Sequence, residues 1–285
     1  MQALLPLLFV FLWSTGFVGA KFGLPYAEPL TFLLCRYALV VTLMLVIVGL
    51  TRAPWPREPR QWLHIGVSGV LVHGFYLAGV FMAIRHGLPA GLTALVVGMQ
   101  PLLTALAAGG LLGEKVVPRQ WLGLGLGFVG VGLVVSHKLG DGLGALSSQF
   151  LPALVALLGI TVGTLYQKRF CARFDLRTGA VLQFVPAALL TLPVALATET
   201  MVVQWSGEFL FALFWLVLVL SIGAISLLNI LIRQGSAVHV ARLFYLTPPT
   251  TALIAWALFG ETLGVLALAG MGLAVAGVYL ARGQA

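Results

Sequence analysis

The sequence predicts an all-α polytopic membrane protein, ten transmembrane helices folded as two inverted five-helix repeats. Three observations carry this. First, 60% of the 285 residues are hydrophobic and only 8% charged, with a mean hydropathy of +1.07. A soluble domain carries about 25% charged residues, so there is too little polar surface here to cover one. Second, apolar runs of roughly 20 residues, the length that spans a bilayer as a helix, follow one another along the chain. They are continuous rather than alternating, which favours helices over a barrel. Third, the stretch from Val97 to Val135 returns in register as Tyr245 to Ala281. Pro101 pairs with Pro248, Glu114 with Glu261, Gly123 with Gly270 and Gly130 with Gly277, always 147 residues apart.

The ten spans are expected at 3–23, 29–50, 60–84, 89–112, 118–137, 149–168, 177–197, 208–232, 237–259 and 263–281. Span 1 has no basic segment ahead of it and is followed by further spans, so it reads as a retained helix rather than a signal peptide. Span 2 starts at Pro29 and runs to the loop Thr51 to Pro59. Span 3 carries a central His73. Span 4 closes on Gly113-Glu114-Lys115, and a Pro-Arg-Gln-Trp turn leads into the glycine-rich span 5. The loop Lys138 to Ser148 divides the halves, so residues 1–137 and 149–281 are expected as the first and second repeat. Spans 6–10 then repeat the order of spans 1–5, and no soluble domain fits anywhere.

Charge sets the orientation. With the N-terminus inside, the inner loops hold Arg52, Arg57, Arg60, Lys115, Arg119, Lys168, Arg169, Arg173, Arg177, Arg233 and Arg282, and the outer loops only Lys21, Arg85 and Lys138. This positive-inside bias predicts both termini cytoplasmic. The net charge of +8 is spread between apolar runs, not clustered, so it is no nucleic-acid signal. Each half has an odd number of spans, so the halves are expected inverted about an axis in the membrane plane. The match extends upstream at the same interval, Gly16 with Gly163 and Arg36 with Gln183. Ile84 to Gly87 matches Ile232 to Gly235 one residue further on. Inverted repeats suit transporters, because exchanging the halves' conformations yields inward- and outward-open states around one midplane site.

The run LWSTGFVGAKFGL, Arg36 in span 2 and the twin Pro…Gly-Glu…Gly runs resemble the drug/metabolite transporter superfamily, EamA branch, over nearly the whole chain. The resemblance implies ten helices in two EamA repeats, a bacterial inner-membrane location and export of metabolites such as amino acids. The YddG-type amino-acid exporters are a neighbour within it. It also implies that spans 1–4 and 6–9 surround the cavity while spans 5 and 10 form the rim. The four-helix drug-resistance relatives use a glutamate in the first helix. Span 1 here has no acid, which argues against their proton-coupled mechanism.

Candidate substrate-binding residues follow. Pro101 and Pro248 sit near mid-span, where proline frees the carbonyls one turn earlier. Those carbonyls either face a substrate cavity or are satisfied by neighbouring helices as a simple kink. Gln100 beside the kink offers donor and acceptor together. His73 with Tyr76 one turn on either binds a carboxylate, titrates, or rests as a hydrogen-bonded core histidine. Trp13, Tyr166 and Tyr245 are aromatic walls or packing and interface anchors. Arg36, about 10 Å below Pro29 at 1.5 Å per residue, and the shallower Arg242 either snorkel or neutralise a substrate carboxylate or gate acid. Asn229 in span 8 is interhelical glue or ligand. Glu114 and Glu261 are gate charges or interfacial helix ends. The glycines of spans 5 and 10 give small faces for close packing.

All eight acids lie at loops or span ends, so no midplane carboxylate is available to carry a proton or sodium, and uncoupled, facilitated transport is expected. Cys35 and Cys171 have no metal or redox spacing. No cofactor or metal is expected, and the partners are a small-molecule substrate and membrane lipid, with a monomer sufficient. A membrane enzyme is disfavoured, since no paired-carboxylate, His-rich or Ser-His-Asp set occurs at one depth. The alternatives are a transporter of other metabolites, sugars or drugs and a channel, the latter separable by saturable counterflow.

Overall fold

A computed structural model of the chain describes residues 4–104, 107, 118, 121–123, 125, 126, 129, 130, 143–171, 174–224, 227, 246–262 and 264–280. Among these it is all-helical apart from one isolated bridge between Ala27 and Val203. The helices are α1 Leu4–Gly23, α2 Pro29–Thr51, α3 Pro59–Arg85, α4 Ala90–Thr104, α5 Leu143–Phe170, α6 Leu176–Thr198, α7 Gly207–Ala224, α8 Thr247–Phe259 and α9 Val265–Leu280. Five described helices, α2, α3, α6, α7 and residues 148–170 of α5, are long and apolar enough to cross a membrane. The helix α5 begins six residues before the expected span 6, at Leu143 rather than at 149. Most of 118–137 and all of 228–245 lie outside the described residues.

The ends of the helices follow from local chemistry. Pro29 opens α2 at a position where its missing N–H costs nothing. Asp175 caps α6 by accepting from the Arg177 amide at 2.9 Å. Gly260, in the left-handed region at φ 65°, ends α8 by donating to the Trp256 carbonyl. Two stretches widen into π-helix, Val70–Leu77 within α3 and Trp215–Ala224 within α7. The helix α4 is broken. Its ladder is interrupted at Gly98 and Met99 and resumes with Leu102 and Leu103 both donating to the Met99 carbonyl.

The interval of 147 recurs in these boundaries. Ends of α1 and α5 at Gly23 and Phe170 are 147 apart, and so are both ends of α2 and α6. The π-helical 70–77 maps onto 217–224 at the same interval. The equivalent helices α2 and α6 cross each other antiparallel. At one end the Glu199 carboxylate accepts from the Leu30 and Thr31 amides. Tyr37 and Phe184, themselves 147 apart, meet in the middle with ring centroids 5.6 Å apart. At the other end the Thr178 hydroxyl donates to the Pro54 carbonyl at 3.0 Å.

Side chains sort accordingly. Large fully buried residues lie between the helices: the Phe32 ring sits 5.3 Å from Phe81 and 5.0 Å from Phe209. The exterior is also apolar, with Leu50, Leu189 and Leu253 well exposed, as hydrocarbon solvent allows and water does not. Charges gather at helix ends. Lys21, at the end of α1, pairs with Glu261, which also accepts from the Ala90 amide at 3.4 Å, and Arg85 donates to the Leu24 carbonyl at 3.1 Å.

Two helix-end carboxylates set an acid limit. The Thr200 hydroxyl and amide, helped by Arg85, hold Glu28 below the usual carboxylate range, and Arg177 does the same for Asp175. A depressed native value contributes stability above the unfolded pKa that is lost as the pH falls through the native one. The thermal midpoint of the detergent-solubilised protein should therefore fall as the pH drops from about 5 to about 3, across and below the ordinary carboxylate range. The double variant E28Q/D175N should show a shallower fall; an unchanged slope would remove these two groups from the account.

Candidate functional site

Among the described residues, buried polar side chains are few, and four of them, Arg36, Ser68, His73 and Ser221, lie where α2 and α6 cross between the two π-helical stretches. On α2, Arg36 is buried and donates through Nη2 to the Ser221 hydroxyl at 3.1 Å. Ser221 itself donates to the Leu216 carbonyl, five residues back in the π-helical stretch, at 3.1 Å. The neighbouring Tyr37 is fully buried, and its hydroxyl donates to the His73 carbonyl at 2.6 Å. The widened turn holding His73 is thus pinned from α2. The His73 ring lies flat on Phe184 of α6, centroids 3.9 Å apart and planes 17° apart. From α6, Gln183 donates to the Ser68 hydroxyl at 3.1 Å and, at 3.4 Å, to Gln167 of α5.

Beside this cluster the broken helix α4 meets α1, α5 and α8. Gln100 donates to the Thr164 hydroxyl at 3.2 Å. A Cβ on Gly98 would stand 3.1 Å from the Pro248 ring, so the interruption in α4 abuts the first turn of α8. From α1 the Ser14 hydroxyl is shared between the Val10 carbonyl at 2.7 Å and the Thr247 carbonyl at 3.3 Å. Trp215 donates from its indole to Thr15 at 2.9 Å. The Thr247 hydroxyl is buried with no hydrogen-bond partner.

The nine sequence candidates distribute as follows. His73 and Tyr76 lie on the π-helical part of α3, with Tyr76 half-buried and its amide close against Gly159 of α5. Gln100 and Pro101 are half-buried at the break in α4, and Pro248 is buried where α8 begins. Pro248 and Pro249 occupy the first helical turn, where proline is tolerated. Trp13 is half-buried on α1, its ring 5.4 Å from Phe9. Tyr166 stands apart from His73: its hydroxyl meets His64 Nδ1 at 2.7 Å and its ring lies 4.7 Å from Phe170, at the end of the bundle where α5 finishes. Arg242 and Tyr245 lie outside the described residues, as do Glu114 and Asn229.

Sequence reasoning did not single out Tyr37, Phe184, Ser68 or Ser221 as site residues. The repeat register points to two of them: Phe184 is the image of Tyr37, and Gln183 next to it is the image of Arg36. Ser68 and Ser221 carry no local signal. Between α2 and α6 an outward-facing apolar groove of about 320 Å³, lined by Leu34, Ala38, Val185 and Leu189 among others, offers no free polar group and is not the site. Among the described residues, no three metal-ligating side chains come together.

Comparison with known proteins gives a consistent picture. A model of a family described as the EamA-like transporter family matches residues 1–136 and 148–283. The chain is 29% identical over 280 residues to the uncharacterized transporter YvbV of Bacillus subtilis, covering 98% of this chain and 90% of that one. It is 27% identical over 285 residues to a probable amino-acid metabolite efflux pump of Salmonella typhimurium, covering 97% and 93%. The inner membrane transporter YedA of Escherichia coli, also uncharacterized, is 27% identical over 94% of this chain and 86% of its own. A solved crystal structure superposes over 98% of this chain and 96% of its own, with a TM-score of 0.65 at 20% identity, a likeness of fold.

Proposed function

The chain belongs to the EamA-like transporter family of membrane transporters, and from that premise we propose that it exports amino acids by alternating access. In this reading two inverted five-helix repeats, 1–137 and 149–281, rock about a central polar site in the inner membrane, with both termini cytoplasmic. The observation that carries it is the buried polar cluster between discontinuous helices. Intramembrane polar groups are expensive and are kept for function, and broken or widened helices are where transporters place such sites. The antiparallel crossing of α2 and α6 and the 147-residue recurrence of helix ends support the inverted pairing. The name of the Salmonella relative supports amino-acid substrates.

Within this reading Trp13, His73, Tyr76, Gln100, Pro101 and Pro248 border the substrate path, joined by Arg242 and Tyr245. Tyr166 with His64 would close its inner end and Lys21 with Glu261 its outer end. One copy of the chain suffices, because the cluster is assembled within one chain. Every described acid sits at a helix end or loop, so transport is uncoupled: substrate runs down its own gradient, and two states of comparable free energy interconvert. Purified protein in liposomes should then take up and exchange labelled amino acids with no ion gradient imposed, saturably and with counterflow. Gln100→Ala should lower the rate by about tenfold, the value of one lost polar contact to a polar substrate. Transport that appears only under a pH gradient would overturn the uncoupled mechanism, and flux without saturation or counterflow would identify a channel.

A further inference from the structure

We infer that Arg36 is the counter-charge for a carboxylate on the transported substrate, so that this carrier selects small organic carboxylates. The inference rests on the transport reading and adds the substrate's chemical class to it. The side chain of Arg36 is only 7% exposed, on a membrane-spanning helix about seven residues below its start. It does not snorkel to the surface. Its guanidinium turns inward to Ser221 of α7, leaving Nε–H buried with no hydrogen-bond partner. A buried cation without an anion is costly.

Among the described residues no carboxylate lies within salt-bridge distance of Arg36. Glu28 is engaged by Thr200, Glu199 by the start of α2, Asp175 by Arg177 and Glu261 by Lys21. Glu58 and Glu208 sit at the starts of α3 and α7. The remaining two acids of the sequence, Glu114 and Asp141, fall in its loops and span ends. Nothing among the described residues neutralises Arg36, which leaves the counter-charge for a substrate to supply. Nε–H and Nη2 lie on one edge of the guanidinium, an edge that a planar carboxylate engages with two parallel hydrogen bonds. Ser221 fixes that edge, and the π-helical turn below Ser221 holds it in place.

The test uses the full chain in proteoliposomes. The probes are the twenty labelled amino acids and four monocarboxylates (lactate, pyruvate, benzoate and phenylpyruvate). For the fastest of them, uptake is compared with that of its primary amide and, for an amino acid, its decarboxylated amine. The wild-type protein should carry the acid at least about tenfold faster than either analogue, the loss expected for one charge-assisted pair. Arg36→Gln should raise KM for the acid by a similar factor, and Arg36→Lys, which keeps the charge but not the fork, should fall between. Equal carriage of amide or amine, an unchanged KM in Arg36→Gln, or carriage of no carboxylate in the panel overturns the inference. If Arg36→Gln does not fold, the comparison of acid with amide on the wild-type protein decides alone. Carriage of monocarboxylates but of no amino acid would refute the amino-acid reading while leaving the role of Arg36 standing.

Discussion

Replacing Gly69 by leucine should abolish recovery of folded protein. A Cβ at this position would lie 2.3 Å from the Gln183 Cα and carbonyl oxygen and 2.6 Å from its carbonyl carbon. These are backbone atoms of α6, so no rotamer change relieves the clash and the helices must separate. Overpacking in a core costs about 1–3 kcal/mol per site and sometimes more, against a total stability of about 5–15 kcal/mol. The separation would also pull Gln183 from Ser68 and Phe184 from His73, so the polar cluster opens together with the packing. Gly79 faces the same constraint against the Pro152 carbonyl oxygen at 2.4 Å. Gly74 supplies the control. Its nearest neighbour would be a Leu190 methyl at 3.8 Å, so Gly74→Ala should be tolerated. The measurement is the monodisperse fraction on size exclusion after detergent extraction. If Gly69→Leu elutes as cleanly as Gly74→Ala, close helix contact is not what holds α3 to α6.

Glu199→Ala should lower stability by about 2–3 kcal/mol, roughly the scale of a lost charge-assisted hydrogen-bond set in a dry setting. The first amides of a helix have no intrahelical partner. Here Leu30 and Thr31 donate to Glu199 at 2.8 and 2.7 Å, and the Thr31 hydroxyl adds a third bond at 2.7 Å. Both residues are 3% exposed, so water cannot replace the carboxylate. The negative charge also faces the positive end of the helix dipole. The contact is reciprocal, since Glu28 at the start of α2 accepts from the Thr200 amide and hydroxyl. Glu199→Gln keeps the shape but loses the charge, and should lie between the wild type and alanine. The thermal midpoint in detergent reads the effect, and a Glu199→Ala midpoint within error of the wild type would show that this cap contributes nothing.

The candidate site was legible in part. His73 and Gln100 are detectable because a polar side chain in the middle of an apolar run is a local anomaly. Pro101 is detectable because proline interrupts a ladder; the break falls at Gly98 and Met99, just before it. Tyr166 is readable as an aromatic near the end of a span, but its partner is not: it meets His64 and not His73, nine residues further along the same helix. Serines such as Ser68 and Ser221 look like ordinary small residues in a helix. They gain meaning only when Gln183 and Arg36 reach them from another helix.

The sequence by itself determined that the chain is a helical membrane protein, where most of its helices lie, and the 147-residue register that also relates their ends. These properties are local or periodic: hydrophobic run length, proline and glycine at boundaries, and recurrence at a fixed interval. Only the tertiary structure decided which polar groups face one another. Arg36 meets Ser221 and Tyr37 meets the His73 carbonyl because α2 crosses α6 antiparallel and packs against both π-helical stretches. That crossing depends on the rotation and closest approach of whole helices, set by contacts such as Gly69 on the backbone of Gln183, and no local pattern in the sequence encodes it.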